Sequence, residues 1–392
     1  MKNSCQKTIY ACYIGLVVQA IVNNFLPLLF VTFERSYQLP LSQITLLITV
    51  NFCVQLLVDL CSAALLDKIG YRAAVVLAHF LEASGFILLS ILPDVLPNPF
   101  VGILLCVVIY ALGGGLLEVL VSPILESCPT ENKEQHMSLL HSFYCWGHMA
   151  VVLFSTVFFA VFGIENWRTM ARIWAIVPIV NGLFFSRVPL YPIHAEGERA
   201  MPLIELLRKK TFWVFLLMML CAGAAEQAVC QWASTFAEQG LGVSKTVGDL
   251  AGPMAFAAMM GVSRLIYGIR GDKLDLSRYM LGCTLLCVVS YAAIAFVPSA
   301  LVSLIACAVC GFSVAIFWPG TFSLSSAALR GGGTALFALL ALAGDLGCAA
   351  GPTLAGFVSS AFGGELRAGI LAALLFPLLM LLGMAMLPKK KQ

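Results

Sequence analysis

Four carboxylic acids, Glu82, Glu118, Glu226 and Asp345, stand inside long runs of apolar residues. In a nonpolar medium a carboxylate is costly unless it faces a wet cavity, meets a partner or takes up a proton, so each is a site candidate by default. Glu118 shares a helical face with Tyr110, Gly114 and Ser122, and Gly115 leaves further room beside it. Glu226 neighbours Gln227 and Gln231, with Trp232 above them. Asp345 lies between Gly344 and Gly347; for it and for Glu82, hydrogen bonding between helices of one bundle is an equal reading, given the close-packing pattern Gly347-x-x-x-Gly351. His141, Tyr144, Cys145 and His148 recur at i, i+3, i+4 and i+7 and form one stripe. Histidine titrates in the physiological range, so His148 joins Glu118, Glu226 and Asp345 as a candidate for proton coupling. Asn51, Gln55, Asp59 and Ser62 form a second polar stripe, and Gln19, Asn23 and Asn24 a third. Such faces on apolar helices must point at a bundle interior or a wet cavity, because lipid offers no hydrogen-bond partner. Gln19, Asn23, Asn24, Asn51, Gln55, His141, Tyr144, Gln227, Gln231, Trp232 and Trp318 are therefore candidates for contact with a solute, with Trp146 and Phe317 adding aromatic faces. Amides, hydroxyls and aromatic rings suit a neutral polyhydroxylated or amphiphilic solute and suit an anion poorly.

The elements that carry these residues are membrane spans. Of 392 residues 60% are hydrophobic and 11% charged, with a mean hydropathy of +0.95, values at odds with a water-soluble domain of this length. A spanning helix needs roughly 20 apolar residues. Breaking the chain at Pro, Gly and charged clusters predicts twelve spans, near 8–32, 41–65, 73–93, 100–127, 138–163, 169–187, 211–236, 247–269, 279–297, 300–328, 333–359 and 366–387. The expected fold is an all-α membrane protein with twelve transmembrane helices in two pseudo-symmetric six-helix bundles, 1–188 and 211–392, joined by a polar cytoplasmic linker, 189–210. With the N-terminus inside, seventeen Lys and Arg fall in inner loops and five in outer ones, Arg264 being set aside as intramembrane, so both termini are expected in the cytoplasm. The net charge of +3 is then a topological signal, and no nucleic-acid partner is expected. The first span lacks a small-residue cleavage site and is expected to be retained. The fourteen cysteines lie almost wholly inside spans and read as small buried apolar residues, Cys307-x-x-Cys310 included; no metal is expected.

Two charged turns recur about two hundred residues apart: Asp67-Lys68-Ile69-Gly70-Tyr71-Arg72, and Gly271-Asp272-Lys273-Leu274-Asp275-Leu276-Ser277-Arg278. Repetition in equivalent places of two halves marks a pore built by duplication. With Ala63 in place of a leading glycine, the first turn resembles the G-x-x-x-D-[RK]-x-G-x-[RK] turn of the major facilitator superfamily of secondary transporters, and the resemblance covers the whole length. Gly114-Gly115-Leu116-Leu117-Glu118-Val119-Leu120-Val121-Ser122-Pro123 is similar to a helix of that superfamily's fucose/proton symporter group, and Gly311 to Pro319 is similar to that group's equivalent helix. Gly115 to Pro123 and Gly311 to Pro319 share one spacing, which sets Glu118 opposite Val314. The group's Asn-Asp pair on the first helix reads Asn23-Asn24 here, so one acid is missing.

The resemblance implies alternating access, with Asp59, Asp67, Arg72, Arg264 and Asp272 as gate residues on the cytoplasmic side. Arg264 precedes Asp272 by the same interval as Asp59 precedes Asp67 and reads as a gate partner, not a substrate clamp. The expected function is secondary active transport of a small, neutral polar solute such as a sugar, coupled to protons, by a monomer in a plasma membrane of the bacterial inner-membrane type. Proton-coupled efflux of drugs or amphiphiles is the alternative, with Glu226 or Asp345 as counter-charge; a non-transporting membrane sensor is a remote one. There is no Walker loop, H-E-x-x-H or G-x-S-x-G motif, so neither an enzyme nor a cofactor is expected.

Overall fold

The computed structural model describes residues 2–130, 133–191, 203–270, 275–329 and 333–387, and every regular element among them is helical. Twelve helices are long and apolar enough to cross a membrane: α1 Cys5–Tyr37, α2 Leu41–Cys61, α3 Tyr71–Leu89, α4 Pro99–Glu126, α5 Leu139–Phe162, α6 Ile164–Arg187, α7 Lys210–Gly240, α8 Lys245–Tyr267, α9 Leu276–Phe296, α10 Ala300–Ala328, α11 Leu336–Ala361 and α12 Leu366–Met386. Short polar residues start several of them. Asn98 accepts from the Phe100 amide at 3.0 Å before α4, with Pro99 at the first helical position, and Asp275 accepts from the Arg278 amide at 2.8 Å before α9.

The chain divides into two compact units, Met1–Ala195 and Glu196–Gln392. Their internal packing follows one scheme. In the first, α1 packs on α4, α5 and α6, while α3 and α4 pack on each other, with α2 against α4 and α6 against α3; in the second, α7 through α12 repeat those pairings in order. Glycine sets the closest approaches. A Cβ at Gly115 would lie 2.8 Å from Val58 Cβ and 3.0 Å from the Gln55 carbonyl oxygen on α2, and one at the equivalent Gly311 would meet the Phe256 carbonyl of α8. The α7–α11 seam is closed the same way, by Gly347 against Leu220 and Gly351 against Ala224, as the small-residue pattern predicts.

Several spans are not continuous. α1 breaks after Asn24, where Pro27 supplies no amide and crowds the carbonyl one turn back. α10, which the sequence reads as unbroken over 300–328, is interrupted between Val314 and Phe317, one turn before Pro319. α12 breaks at Leu374 beside Pro377. α7 breaks at Gln231–Trp232 without a proline, where the Trp232 indole N–H leaves the helix to donate to the Pro352 carbonyl of α11 at 3.0 Å. The breaks in α1 and α7 thus both fall next to the amides singled out by sequence.

Candidate functional site

The first unit brings Gln19, Asn23, Asn51, Gln55 and Glu118 into one hydrogen-bonded system. Gln19 Nε2 donates to Gln55 Oε1 at 2.9 Å and to Glu118 Oε2 at 3.2 Å. Gln55 Nε2 donates to Asn23 Oδ1 at 3.0 Å and to Asn51 Oδ1 at 3.1 Å, and Asn51 Nδ2 donates to Asn23 Oδ1 at 3.3 Å. Gln19 Oε1 is buried and has no hydrogen-bond partner among the described residues. Asn24, at the α1 break, donates to the Ala20 carbonyl at 2.9 Å and to Tyr144 Oη at 3.4 Å, which ties α5 to the same cluster.

Three consecutive glycines on α4 make this approach possible. Gly113 lies against Glu82 of α3, Gly114 against Gln19 and Gln55, and Gly115 against α2; a Cβ at Gly114 would stand 3.3 Å from Gln19 Oε1. Glu118, one turn further, is both deep in the protein and exposed, so it opens on accessible space while its neighbours Leu117, Leu120 and Val121 fill the unit's core. Asp59, one turn beyond Gln55 on α2, acts on Glu118 with like charge.

The second unit repeats the pattern with a different ending. Gln231 Nε2 donates to Gln227 Oε1 at 3.0 Å, and Gln227 Nε2 donates to Glu226 Oε1 at 3.3 Å, so a series of amides again ends on an acid. The charge that acts on Glu226 is that of Arg264, whose Nε also reaches the Ala315 carbonyl at 3.4 Å, where α10 is broken. Trp318 packs its ring on Gly344, next to the half-buried Asp345.

Other predicted residues are placed differently. The helix-5 stripe divides: His141 is exposed, whereas Cys145 and His148 are buried beside Gly147, where α5 meets α1 at Val17 and Ala20. The four aromatic faces do not all line a cavity. Trp232 and Phe317 are fully enclosed in the second unit's core, and Trp146 is 67% exposed, because the apolar rings follow burial and lipid contact and not the amide faces. Arg72 donates to the Phe185 and Ser186 carbonyls at 2.9 and 3.0 Å and so caps α6. Asp272 and the side chain of Asp67 lie outside the described residues, as does half of the predicted linker, 192–202. Among the described residues, the inter-helix hydrogen bond read for Glu82 is not formed.

Sequence reading missed a buried ionic site in the second unit. Asp249, buried in α8, pairs with Lys245 Nζ at 3.1 Å and is hydrogen-bonded by Ser234, between two wide helical turns, Phe236–Gly240 and Leu250–Met254. The i, i+4 spacing of Lys245 and Asp249 is the signal that would have found it.

Comparison with known proteins gives the fold a context. No curated protein matches the sequence. A bacterial homolog of the human lysosomal transporter Spinster, inward-facing and unoccupied, matches with a TM-score of 0.79 at 15% identity over 98% of each chain. The nucleoside transporter NupG matches with 0.76 at 13% identity, covering 98% of this chain and 100% of that one. The E. coli fucose:proton symporter matches with 0.64 at 17% identity, covering 97% and 98%. At such identities the likeness concerns the fold. The family model of the Major Facilitator Superfamily matches residues 12–352, and the chain belongs to that superfamily: it is a multi-pass membrane protein with a transporter fold.

Proposed function

We propose that the protein is a proton-coupled secondary active transporter that moves a small, neutral polar solute such as a sugar by alternating access. The observation that carries this reading is the bond from Gln19 to Glu118, at 3.2 Å, within a buried network of amides. Glu118 is the acid that both touches the network and opens on accessible space, so it can exchange a proton and sense a solute at one place. The unpartnered Gln19 Oε1 is an acceptor suited to a solute hydroxyl. Asn24 and Tyr144 extend the same face, and Gln227, Gln231 and Trp318 supply the second bundle's candidate contacts. Glu226, Asp345 and His148 are secondary candidates for the proton path, with Asp59, Asp67, Arg72, Arg264 and Asp272 assigned to the cytoplasmic gate. Efflux of lipophilic cations has less support, because Glu226, one of its two candidate counter-charges beside Asp345, is already engaged by Gln227. We place both termini in the cytoplasm of a plasma membrane, with 189–210 as the linker between bundles.

The test is uptake by proteoliposomes of labelled monosaccharides and nucleosides, with and without an inward proton gradient, beside a dye-efflux assay. Wild type should concentrate a neutral solute only with the gradient. Glu118→Gln, a mimic of the protonated acid, should lose that accumulation at least tenfold and keep downhill exchange. Accumulation that is indifferent to pH, or that survives in Glu118→Gln, would sink the reading.

A further inference from the structure

Glu82, in the middle of α3, has none of its surface exposed, and neither carboxyl oxygen has a hydrogen-bond partner among the described residues. Its surroundings are tightly filled. A Cβ at Gly113 of α4 would stand 2.5 Å from the Ala78 carbonyl oxygen and 2.7 Å from Glu82 Cγ, so the two helices touch there with nothing between them. One turn back on α3, His79 Nδ1 bonds the Val75 carbonyl at 2.7 Å, which places the ring proton on that nitrogen. Its Nε2 then accepts from Asn181 Nδ2 of α6 at 2.8 Å, and the same Nδ2 donates to the Ala11 carbonyl at 3.1 Å. The histidine is thereby used up as a neutral side chain. Asn181 Oδ1 is itself buried without a hydrogen-bond partner among the described residues.

Among the described residues, no hydrogen bond from a charged or neutral donor reaches the Glu82 carboxyl. α4 presents Tyr110 and Cys106, near Gly85. α6 presents the amide of Asn181, and its Arg172 is held on Ser90 at 2.9 Å, about two turns along from Glu82. At the other end of α3, Arg72 is held on the α6 carbonyls at 2.9 and 3.0 Å. α2 carries Asp59, whose charge acts on Glu118. An unpartnered carboxylate in such a dry site is far less favourable than the neutral acid.

We propose that Glu82 is a second proton-binding site, occupied in this conformation, and that its proton is exchanged only when α3 and α4 part at Gly113. The site lies on the opposite side of α4 from the amide network and depends neither on the solute nor on Glu118. Opening the Gly113 contact admits water, which solvates the carboxylate and lets the proton leave; closing it requires the proton back. A rearrangement of the first bundle would thus carry a proton with it.

The purified full chain in lipid nanodiscs is titrated while the carbonyl stretch of protonated carboxylic acids is followed by infrared difference spectroscopy. The expected result is a protonated-acid band that persists above neutral pH, is lost in Glu82→Gln and is retained in Glu118→Gln. Glu82→Gln, which mimics the neutral acid, should unfold at the wild-type temperature. Gly113→Ala, which wedges the helices apart, should shift titration of the band to lower pH. If that variant does not assemble, the wild type transferred to deuterium oxide should show the band's isotope shift lagging well behind that of solvent-open acids. Absence of the band from wild type at neutral pH, its persistence in Glu82→Gln, or marked destabilisation by that substitution overturns the occupied site. Immediate isotope exchange, or an unshifted titration in Gly113→Ala, overturns the coupling to opening.

Discussion

Arg264 Nε reaches the Ala315 carbonyl at 3.4 Å, at the break in α10 beside Val314. By the repeat of the two charged turns, Arg264 occupies the place that Asp59 holds in the first bundle, and Val314 the place of Glu118. One duplicated position therefore carries opposite charges. In the first bundle it is an acid within electrostatic reach of Glu118; in the second it is a base within reach of Glu226 that also donates to the buried Ala315 carbonyl at the broken helix.

If Arg264 and Glu226 form a working pair, their effects on stability are not additive. A double-mutant cycle with Arg264→Gln and Glu226→Gln, read by denaturation in micelles, should give a coupling of about 1–3 kcal/mol. Coupling within error of zero would mean that Arg264 serves only the Ala315 carbonyl.

The glycine contacts separate by what a methyl group would meet. At Gly347 a Cβ would run into the Leu220 carbonyl and stand 2.9 Å from the Ala224 amide, whereas at Gly261 and Gly282 nothing lies within 4 Å. Gly347→Ala should destabilise by roughly 1–3 kcal/mol through overpacking. Gly261→Ala and Gly282→Ala should be neutral or stabilise by up to about 1 kcal/mol, from helix propensity. Equal midpoints for all three in thermal unfolding would refute the close α7–α11 seam.

The twelve spans and the polar faces of α1, α2 and α7 were legible in the sequence for one physical reason: lipid rejects amides and acids, so Gln19, Asn23, Asn51, Gln55 and Gln227 had to turn inward together. The division of the His141–His148 stripe was not legible, since helical spacing places residues on one side but not at one depth. Nor was the burial of Trp232, which depends on an acceptor, the Pro352 carbonyl, contributed from 120 residues away. The α7 break follows from that same bond and carries no local signal, whereas Pro27 and Pro319 mark the breaks in α1 and α10. Glu82 shows the reverse limit: its isolation depends on what α4 and α6 fail to offer, which no local pattern encodes.

Asp94, in the connection between α3 and α4, accepts from Arg168 Nε at 2.6 Å and Nη2 at 2.8 Å and from Tyr37 Oη at 2.7 Å. The Arg168 hydrogen bonds hold its carboxyl below the usual carboxylate range, burial opposes them, and the Tyr37 bond adds to the lowering. A depressed native pKa stabilises above the unfolded value and ceases to do so as pH falls through the native one. The pair is partly exposed, so Asp94→Asn should cost no more than about 1 kcal/mol at neutral pH. The difference from wild type should shrink through the acidic range and vanish once the native carboxyl is protonated; a gap that stays constant on acidification would refute the assignment.

The proposed orientation makes opposite ends of α6 report opposite sides of the membrane. Glu165, at the start of α6, and Glu205, just before α7, are both exposed. Among the native cysteines of the described residues, Cys61 is the exposed one, so Cys61→Ser provides a quiet background. In right-side-out vesicles, Glu165→Cys in that background should react with a membrane-impermeant maleimide and Glu205→Cys should not; inverted vesicles should reverse the result. Both variants labelling from one side would break the even number of crossings between α1 and the α6–α7 connection on which the twelve-span topology depends. Labelling of Glu205→Cys alone from the outside would leave the spans intact and invert the chain, which would mean that the bias of Lys and Arg toward one set of loops does not set orientation here.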